Sequence, residues 1–144
     1  MGVGLHHQRA HFIRAIMEGI LFNLYSVTVA LQELTGEITE IRASGDFARS
    51  QSWLQIMANL VGYEVLKPEV HEGSGFGAAV LAMHAVGAIP DLSDVQKLLC
   101  ISHRYQPDSH LSGLYRDLFS IYERIYQDLV EEFPLLTDYQ RQLG

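Results

Sequence analysis

Apolar residues recur at three- and four-residue spacing through Ile13, Ile16, Met17, Ile20, Leu21, Leu24, Val27, Leu31 and Leu34. That period predicts an amphipathic helix over residues 8–34 with a wide apolar stripe, and Gly36 just beyond it reads as the stop. The pattern then changes. Residues 37–44 are a short, β-branched run, which favours a strand. Residues 45–49 break the pattern, and a second helix is expected from Ser50, whose hydroxyl can cap it. Trp53, Leu54, Met57, Leu60 and Val61 carry that helix to a stop at Gly62. Residues 63–67 read as a second short strand, closed by Pro68.

Segment 71–75 leads into a third helix over 76–86, rich in small residues (Gly77, Ala78, Ala79, Ala82, Ala85) that let a backbone approach a neighbour closely. Gly87 stops it. Pro90, Asp91 and Ser93 start a short helix to Cys100, and 103–108 reads as a loop. Leu111, Leu114, Leu118, Tyr122, Ile125, Leu129 and Phe133 mark one face of a last helix over 111–133, and the tail 137–144 has no period. The order α-β-α-β-α-α-α suggests a parallel strand pair in an α/β layer fold. Two strands alone make a poor sheet, and the helices offer more apolar face than two strands cover. Further strands are therefore expected from elsewhere, in a longer chain or a partner.

The length of 144 residues suits one domain with a core. Ten Lys and Arg against 17 Asp and Glu give a net charge of −7. An acidic chain without a basic stripe argues against duplex nucleic acid as the main partner, and the charge reads as solubility. The single cysteine, Cys100, allows no intramolecular disulfide, which fits a reducing cytoplasm. It follows the apolar Val95, Leu98 and Leu99 and reads as a small buried hydrophobe. No apolar stretch approaches the ~20 residues of a membrane span, so no membrane partner is expected. The first residues lack the basic start and apolar block of a signal peptide. Gly2 invites a myristoylation reading, but His7 stands where Ser or Thr is needed.

Candidate chemistry is sparse. Ala43-Ser44-Gly45-Asp46 joins a predicted strand to a helix. Glycine there lets backbone N–H groups approach a ligand, and the helix start favours anions such as nucleotide phosphates; a plain turn is the alternative. Gly73-Ser74-Gly75-Phe76-Gly77 opens a helix but lacks the dinucleotide spacing, and there is no Walker A run. It reads as a flexible, closely packed helix start. His7 and His11 can share a helix face near His6, but zinc needs further ligands, and they read as polar helix-start residues. Glu18, two turns beyond His11, can be a buried hydrogen-bonding group. Asp46, Glu72, Asp91, Asp94, Glu131 and Glu132 form no acid/base couple, and no Ser-His-Asp order stands out. Tyr115, Tyr122 and Tyr126 read as packing residues, since no basic face accompanies them. No catalytic residue and no metal ligand is assigned.

Resemblance adds more. Gly2-Val3, seven residues, then His11-Phe12 and Ala15-Ile16-Met17-Glu18 resemble the C-terminal signature of the FGGY carbohydrate kinases. The run from Ile41 to Ser50, containing Ala43-Ser44-Gly45-Asp46-Phe47-Ala48-Arg49, is similar to the family's adenosine motif, commonly Thr-Gly-Gly-x-Ala-Arg-Ser. Residues 72–79 resemble its later Gly-Ala-Ala helix start. Residues 18–27 and 138–143 look most like the gluconokinase branch, and the likeness spans essentially the whole chain. It implies an α/β fold: a helix-rich, partial actin-like ATPase (RNase H-like) domain with few strands. It also implies transfer of a phosphoryl group from ATP with Mg²⁺ to a sugar or sugar acid, which rests on positioning and charge neutralisation.

By that resemblance Ser44, Gly45, Asp46, Phe47 and Ser50 are nucleotide-binding, with Gly45, Asp46 and Phe47 approaching phosphates and adenosine through backbone and Ser50 on the adenine side. Helix 8–34 would pack on the domain's sheet. Asp46 departs from the family's second glycine. A carboxylate beside phosphates is unfavourable unless it turns to solvent or meets a cation, and a side chain restricts φ. The family's N-terminal domain, with its Asp-Gly-Thr loop, its catalytic Asp and most of the sugar site, has no counterpart here. Residues 1–144 are thus expected to be the distal part of the C-terminal nucleotide-binding domain. Its expected partners are ATP or ADP, the missing N-terminal domain or another copy of itself, and a gluconate-like substrate in the full enzyme. A non-catalytic module and a self-associating helical protein are the alternatives.

Overall fold

Helix α1 (Arg9–Thr35) forms where the apolar period places it. This computed structural model describes residues 2–36, 38, 40–70 and 73–143, with side chains left undescribed at 96, 97 and 143. At the helix start, Gln8 N–H donates to His11 Nδ1 at 2.9 Å and His11 N–H donates to the Gln8 carbonyl at 2.9 Å. His11 is therefore a helix-start residue. Gly36, at φ 85°, ends the helix in a conformation that suits glycine.

The apolar stripe of α1 proves to be two faces. Leu21 and Phe22 are buried, with Met17 and Tyr25 packed beside them. Ile13, Ile16, Ile20, Leu24, Val27, Leu31 and Leu34, which dominate the sequence period, are exposed. Two apolar faces leave few charges, and the most apolar 18-residue window of α1 has a mean hydropathy of 1.3. By length and composition α1 could cross a membrane, which corrects the expectation that no stretch approaches that limit. Uncharged polar residues such as Asn23, Ser26 and Thr28 interleave the apolar ones and break up the run. Core helices of water-soluble proteins pass the same test, and α1 is tied by side chains to two other helices.

Strand β1 (Ile41–Arg42) is shorter than the predicted 37–44; Glu37 and Thr39 lie outside the described residues. It pairs in parallel with β2 (Val65–Pro68), Ile41 opposite Val65 and Arg42 opposite Leu66, as the layer pattern predicts. Between them lie a 3₁₀ turn (Asp46–Arg49) and helix α2 (Gln51–Val61). Ser50 caps α2, its Oγ accepting from Trp53 N–H at 3.4 Å, and Gly62 closes it at φ 75°.

A third strand, β3 (Ile101–Tyr105), was not foreseen. It runs antiparallel to β2 in the sheet order β1-β2-β3 and takes the first residues of the predicted 103–108 loop. Its Ser102, His103 and Arg104 are exposed, so it carries the polar signature of an edge strand and lacks a clean alternation. The short helix predicted up to Cys100 is a 3₁₀ turn (Leu92–Leu98). Cys100 is exposed rather than buried, because it enters the edge strand; its carbonyl accepts from Glu69 N–H at 2.9 Å.

Helix α3 (Gly73–Ala85) begins three residues before the predicted start at 76 and buries Val80. Its small residues do not all serve close packing, since nothing lies within 4 Å of a Cβ placed at Gly77. Helix α4 (Ser109–Leu129) begins earlier than predicted because Asp108 caps it, accepting from His110 N–H at 2.9 Å and Leu111 N–H at 3.2 Å. The predicted single helix to 133 is two: α4 ends at Leu129 and α5 (Glu132–Leu143) occupies the tail expected to lack structure. Pro134 has no N–H to offer the carbonyl four residues back, so the chain breaks there, and proline is tolerated in the first turn of α5.

Helix α2 joins two cores. Ile56 and Leu60 meet Leu21, Phe22, Tyr115 and Phe119 in a helical, aromatic layer. Leu54, Ala58 and Val61 meet Ala43, Ala48 and Val65 on the sheet side. So α1 packs on helices α2 and α4, and reaches the sheet-side core through Tyr25, in place of the direct sheet packing that the resemblance implies.

Candidate nucleotide site at the carboxyl end of the parallel strands

Because β1 and β2 are parallel, the chain leaves both at the same end, where open α/β sheets place their ligands. After β1, Ala43 is buried, and Ser44, Gly45 and Asp46 are exposed. Gly45 sits at φ 92°, a region that side chains rarely adopt. The 3₁₀ turn that follows is anchored from below. Ala48 is 1% exposed, and half-buried Phe47 sets its ring edge-on to Trp53 at 5.8 Å. An exposed backbone arc thus stands on a fixed base.

Asp46 resolves the tension that the sequence raises. Its side chain is 97% exposed and its nearest cation is Arg49, at 3.6 Å. No described non-glycine residue has a positive φ, so Asp46 carries its side chain without backbone strain. Ser50 lies beyond the turn, with its hydroxyl directed to the first turn of α2.

After β2 the chain enters α3 at Gly73. A Cβ added to Gly73 would lie 2.7 Å from Ser44 Oγ. The two glycine-bearing segments that the sequence presents separately therefore touch. Gly73 joins the candidate set, which the sequence reading had confined to residues 44–50; its signal was the Gly73-Ser74-Gly75 run. His71 and Glu72, between β2 and Gly73, lie outside the described residues. In the first turn of α2, Trp53 Nε1 is buried with no acceptor among the described residues, beside Phe47.

Other candidates lie elsewhere. His7 Nδ1 accepts from Gly4 N–H at 2.8 Å, within the N-terminal turn. Asp91 accepts from Ser93 N–H at 2.8 Å, and that bond, with the Ser93 hydroxyl, holds its carboxyl below the usual value. Glu18 is a partly buried hydrogen-bonding group, as predicted. It accepts from Arg14 Nε at 2.6 Å and from Tyr115 hydroxyl at 2.7 Å, while an Arg14 guanidinium N–H donates to Tyr115 at 2.6 Å. Burial first, and Glu18 second, push the Tyr115 hydroxyl above its ordinary value of 10.0. Tyr115 and Tyr122 pack against Phe22, as packing residues should. Among the described residues no three His, Cys, Asp or Glu side chains gather as a metal cage. The exposed backbone of residues 44–46 thus stands beside the amino end of α3, and among the described residues no acid and base pair gathers there.

Residues 1–86, from the N-terminus through α3, match the C-terminal domain of the FGGY family of carbohydrate kinases. A gluconokinase of Bacillus licheniformis is 36% identical over 144 residues, 99% of this chain and 28% of that protein. A ligand-bound xylulose kinase from Lactobacillus acidophilus superposes with a TM-score of 0.81 at 29% identity, covering 90% of this chain and 26% of that one. A gluconate kinase from the same organism gives 0.80 at 29%, with the same coverage. The chain thus spans little more than a quarter of the length of these relatives. Its fold is that of part of an actin-like ATPase domain, helix-rich with a small sheet.

Proposed function

The chain belongs to the FGGY family of carbohydrate kinases, and we propose that residues 1–144 are the distal part of its C-terminal nucleotide-binding domain. The observation that carries this reading is the meeting of the Gly45 turn with Gly73 at the carboxyl ends of two parallel strands. Ser44, Gly45 and Asp46 would present backbone to the phosphates of ATP or ADP, beside the amino end of α3. Phe47 and Ser50 would flank the adenosine. Mg²⁺ would arrive with the phosphates, since it keeps much of its water and needs few protein ligands.

The catalytic base and the sugar site would come from an N-terminal kinase domain. The open stripe of α1 supports such a neighbour: Ile16, Ile20, Leu24 and Leu31 are at least 45% exposed. The phosphoryl acceptor would be a sugar acid of the gluconate class, the substrate named for the similar gluconokinase and gluconate kinase. The complete enzyme would work in the cytoplasm. The same stripe favours a second reading, self-association of this chain through α1.

Calorimetry with ADP, and with ATP and Mg²⁺, tests the first reading. Wild type should give binding heat and Gly45→Val should lose it while keeping its circular dichroism spectrum. Valine at φ 92° and ψ −175°, a region essentially reserved for glycine, is also strained by roughly 1–3 kcal/mol. A silent wild type would sink the nucleotide reading. Light scattering tests the second: a monodisperse monomer removes it.

A further inference from the structure

Helix α4 has two apolar rows. Tyr115 and Phe119 fill the aromatic layer, with Tyr122 packed beside them. The second row, Leu111, Leu114, Leu118, Ile121 and Ile125, is 37–54% exposed. Its steps are three, four, three and four residues, the period of helices that meet along a seam. At 1.5 Å per residue the seam is about 21 Å long, and Asp128, next in the period, ends it.

The open row of α1 is built differently. From Ile13 through Ile16, Ile20, Leu24 and Val27 its steps are three, four, four and three, which interrupts a seam of that period. No charged residue stands between Glu18 and Glu33, so the row has no charged border along most of its length and suits the interior of a larger core. The row of α4 is bordered by exposed Asp117 and Arg124. An apolar centre with a polar rim is how separately folded copies meet. Among the described residues neither Asp117 nor Arg124 has an ion-pair partner within the chain.

We infer that a second copy of this chain docks on α4, helix against antiparallel helix, about a two-fold axis. Leu118 of one copy then lies opposite Ile121 of the other, and Leu114 opposite Ile125. That register sets Asp117 beside Arg124 of the other copy, and the two-fold axis makes the pair twice. A parallel arrangement offers neither charge an opposite partner. The charges thus select both the second copy and its direction. The inference is independent of the nucleotide reading, and it is distinct from self-association through α1.

Sedimentation equilibrium of the chain is the test. The wild type should be a monomer–dimer mixture with a dissociation constant on the order of micromolar, as suits an interface of about 1,200 Å² or less. Leu118→Glu should leave a monomer. Ile20→Glu, in the open row of α1, should change the constant by less than about twofold. Asp117→Arg alone and Arg124→Asp alone each set like charges together in both pairs, and each should weaken the dimer about fivefold or more. Mixed in equal amounts, these two variants face each other with opposite charges, and the dimer should return. All four positions are exposed, so the circular dichroism of each variant should match wild type. A wild-type monomer at every concentration, a dimer that survives Leu118→Glu but not Ile20→Glu, or charge variants whose mixture stays as weak as its parts would each overturn the inference.

Discussion

The aromatic layer of α1, α2 and α4 and the glycine loops after β1 and β2 are built on opposite principles. In the layer, side chains do the work. Phe22 meets Phe119 at 5.9 Å and Tyr122 at 5.3 Å between ring centroids, and Leu21 is 1% exposed. In the loops, backbone does the work. Ser44, Gly45 and Asp46 are exposed, and two anchors, Ala48 and Phe47, hold them from beneath. The fold thus keeps its packed layer in one place and the loops proposed to hold the nucleotide in another. Damage to the layer should unfold the chain without altering the loops' chemistry, and damage to the loops should do the reverse.

The strongest test of that division is Phe22→Ala. Removing a ring 5% exposed and in contact with three others should cost about 3–5 kcal/mol. That is a large share of the stability of any domain of this size. Urea unfolding should show the lower midpoint. Calorimetry at low temperature should give unchanged nucleotide heat per folded molecule. A loss below about 1 kcal/mol would show that the layer is not the stabilising region.

The Arg14–Glu18–Tyr115 network offers a finer cut, because it adds polar links to the same layer. Glu18→Gln should cost about 1–2 kcal/mol by weakening two charge-assisted bonds. The pH response follows from Tyr115. Its hydroxyl is raised in the fold, so its contribution is fully present below the unfolded value of 10.0 and is lost as pH climbs through the folded value. Arg14 is also raised, chiefly by its bond to Glu18, and stays charged across this range. Thermal unfolding between about pH 8 and 11 should show stability falling above pH 10, and Tyr115→Phe should flatten that fall. An unchanged slope in Tyr115→Phe would remove Tyr115 as its source.

What could be read in the sequence follows the same division. Caps and periods are local, so Ser50, Gly36 and Gly62 and the course of α1 and α2 were legible. Glu18 was legible as a hydrogen-bonding group, and the Ser44–Ser50 turn as a strand-to-helix junction. Contacts between distant segments were not. Nothing local says that Ser44 meets Gly73, or that Glu18 meets Tyr115, 97 residues on. Strand β3 was hidden because an edge strand with Ser102, His103 and Arg104 outward lacks an alternating pattern. The period in α1 left the packed face open: Ile13, Ile16, Ile20 and Leu24 are exposed, and Leu21 and Phe22 pack. A repeat shows that a face is apolar; it does not say which neighbour covers it.

The smallest expected effect sits on the loop side, at Asp46→Asn. The side chain is 97% exposed, and its ion pair with Arg49, at 3.6 Å, is itself exposed, so stability should stay within about 0.5 kcal/mol of wild type. Backbone geometry should persist, since asparagine adopts every conformation open to aspartate at negative φ. What changes is one negative charge beside the place assigned to nucleotide phosphates. In water, two unit charges about 4 Å apart interact by about 1 kcal/mol, and the distance here is set by a carboxylate turned outward. ADP affinity should therefore rise by about two- to fivefold at low salt, and the gain should shrink as salt rises to about 1 M, where screening shortens to about 3 Å. Calorimetry at both ionic strengths reads this directly. A gain that ignores salt would mean that Asp46 acts through shape. A loss of affinity would mean that its carboxylate helps hold the nucleotide, with its cation, and the division between packed layer and backbone loop would then fail at this residue.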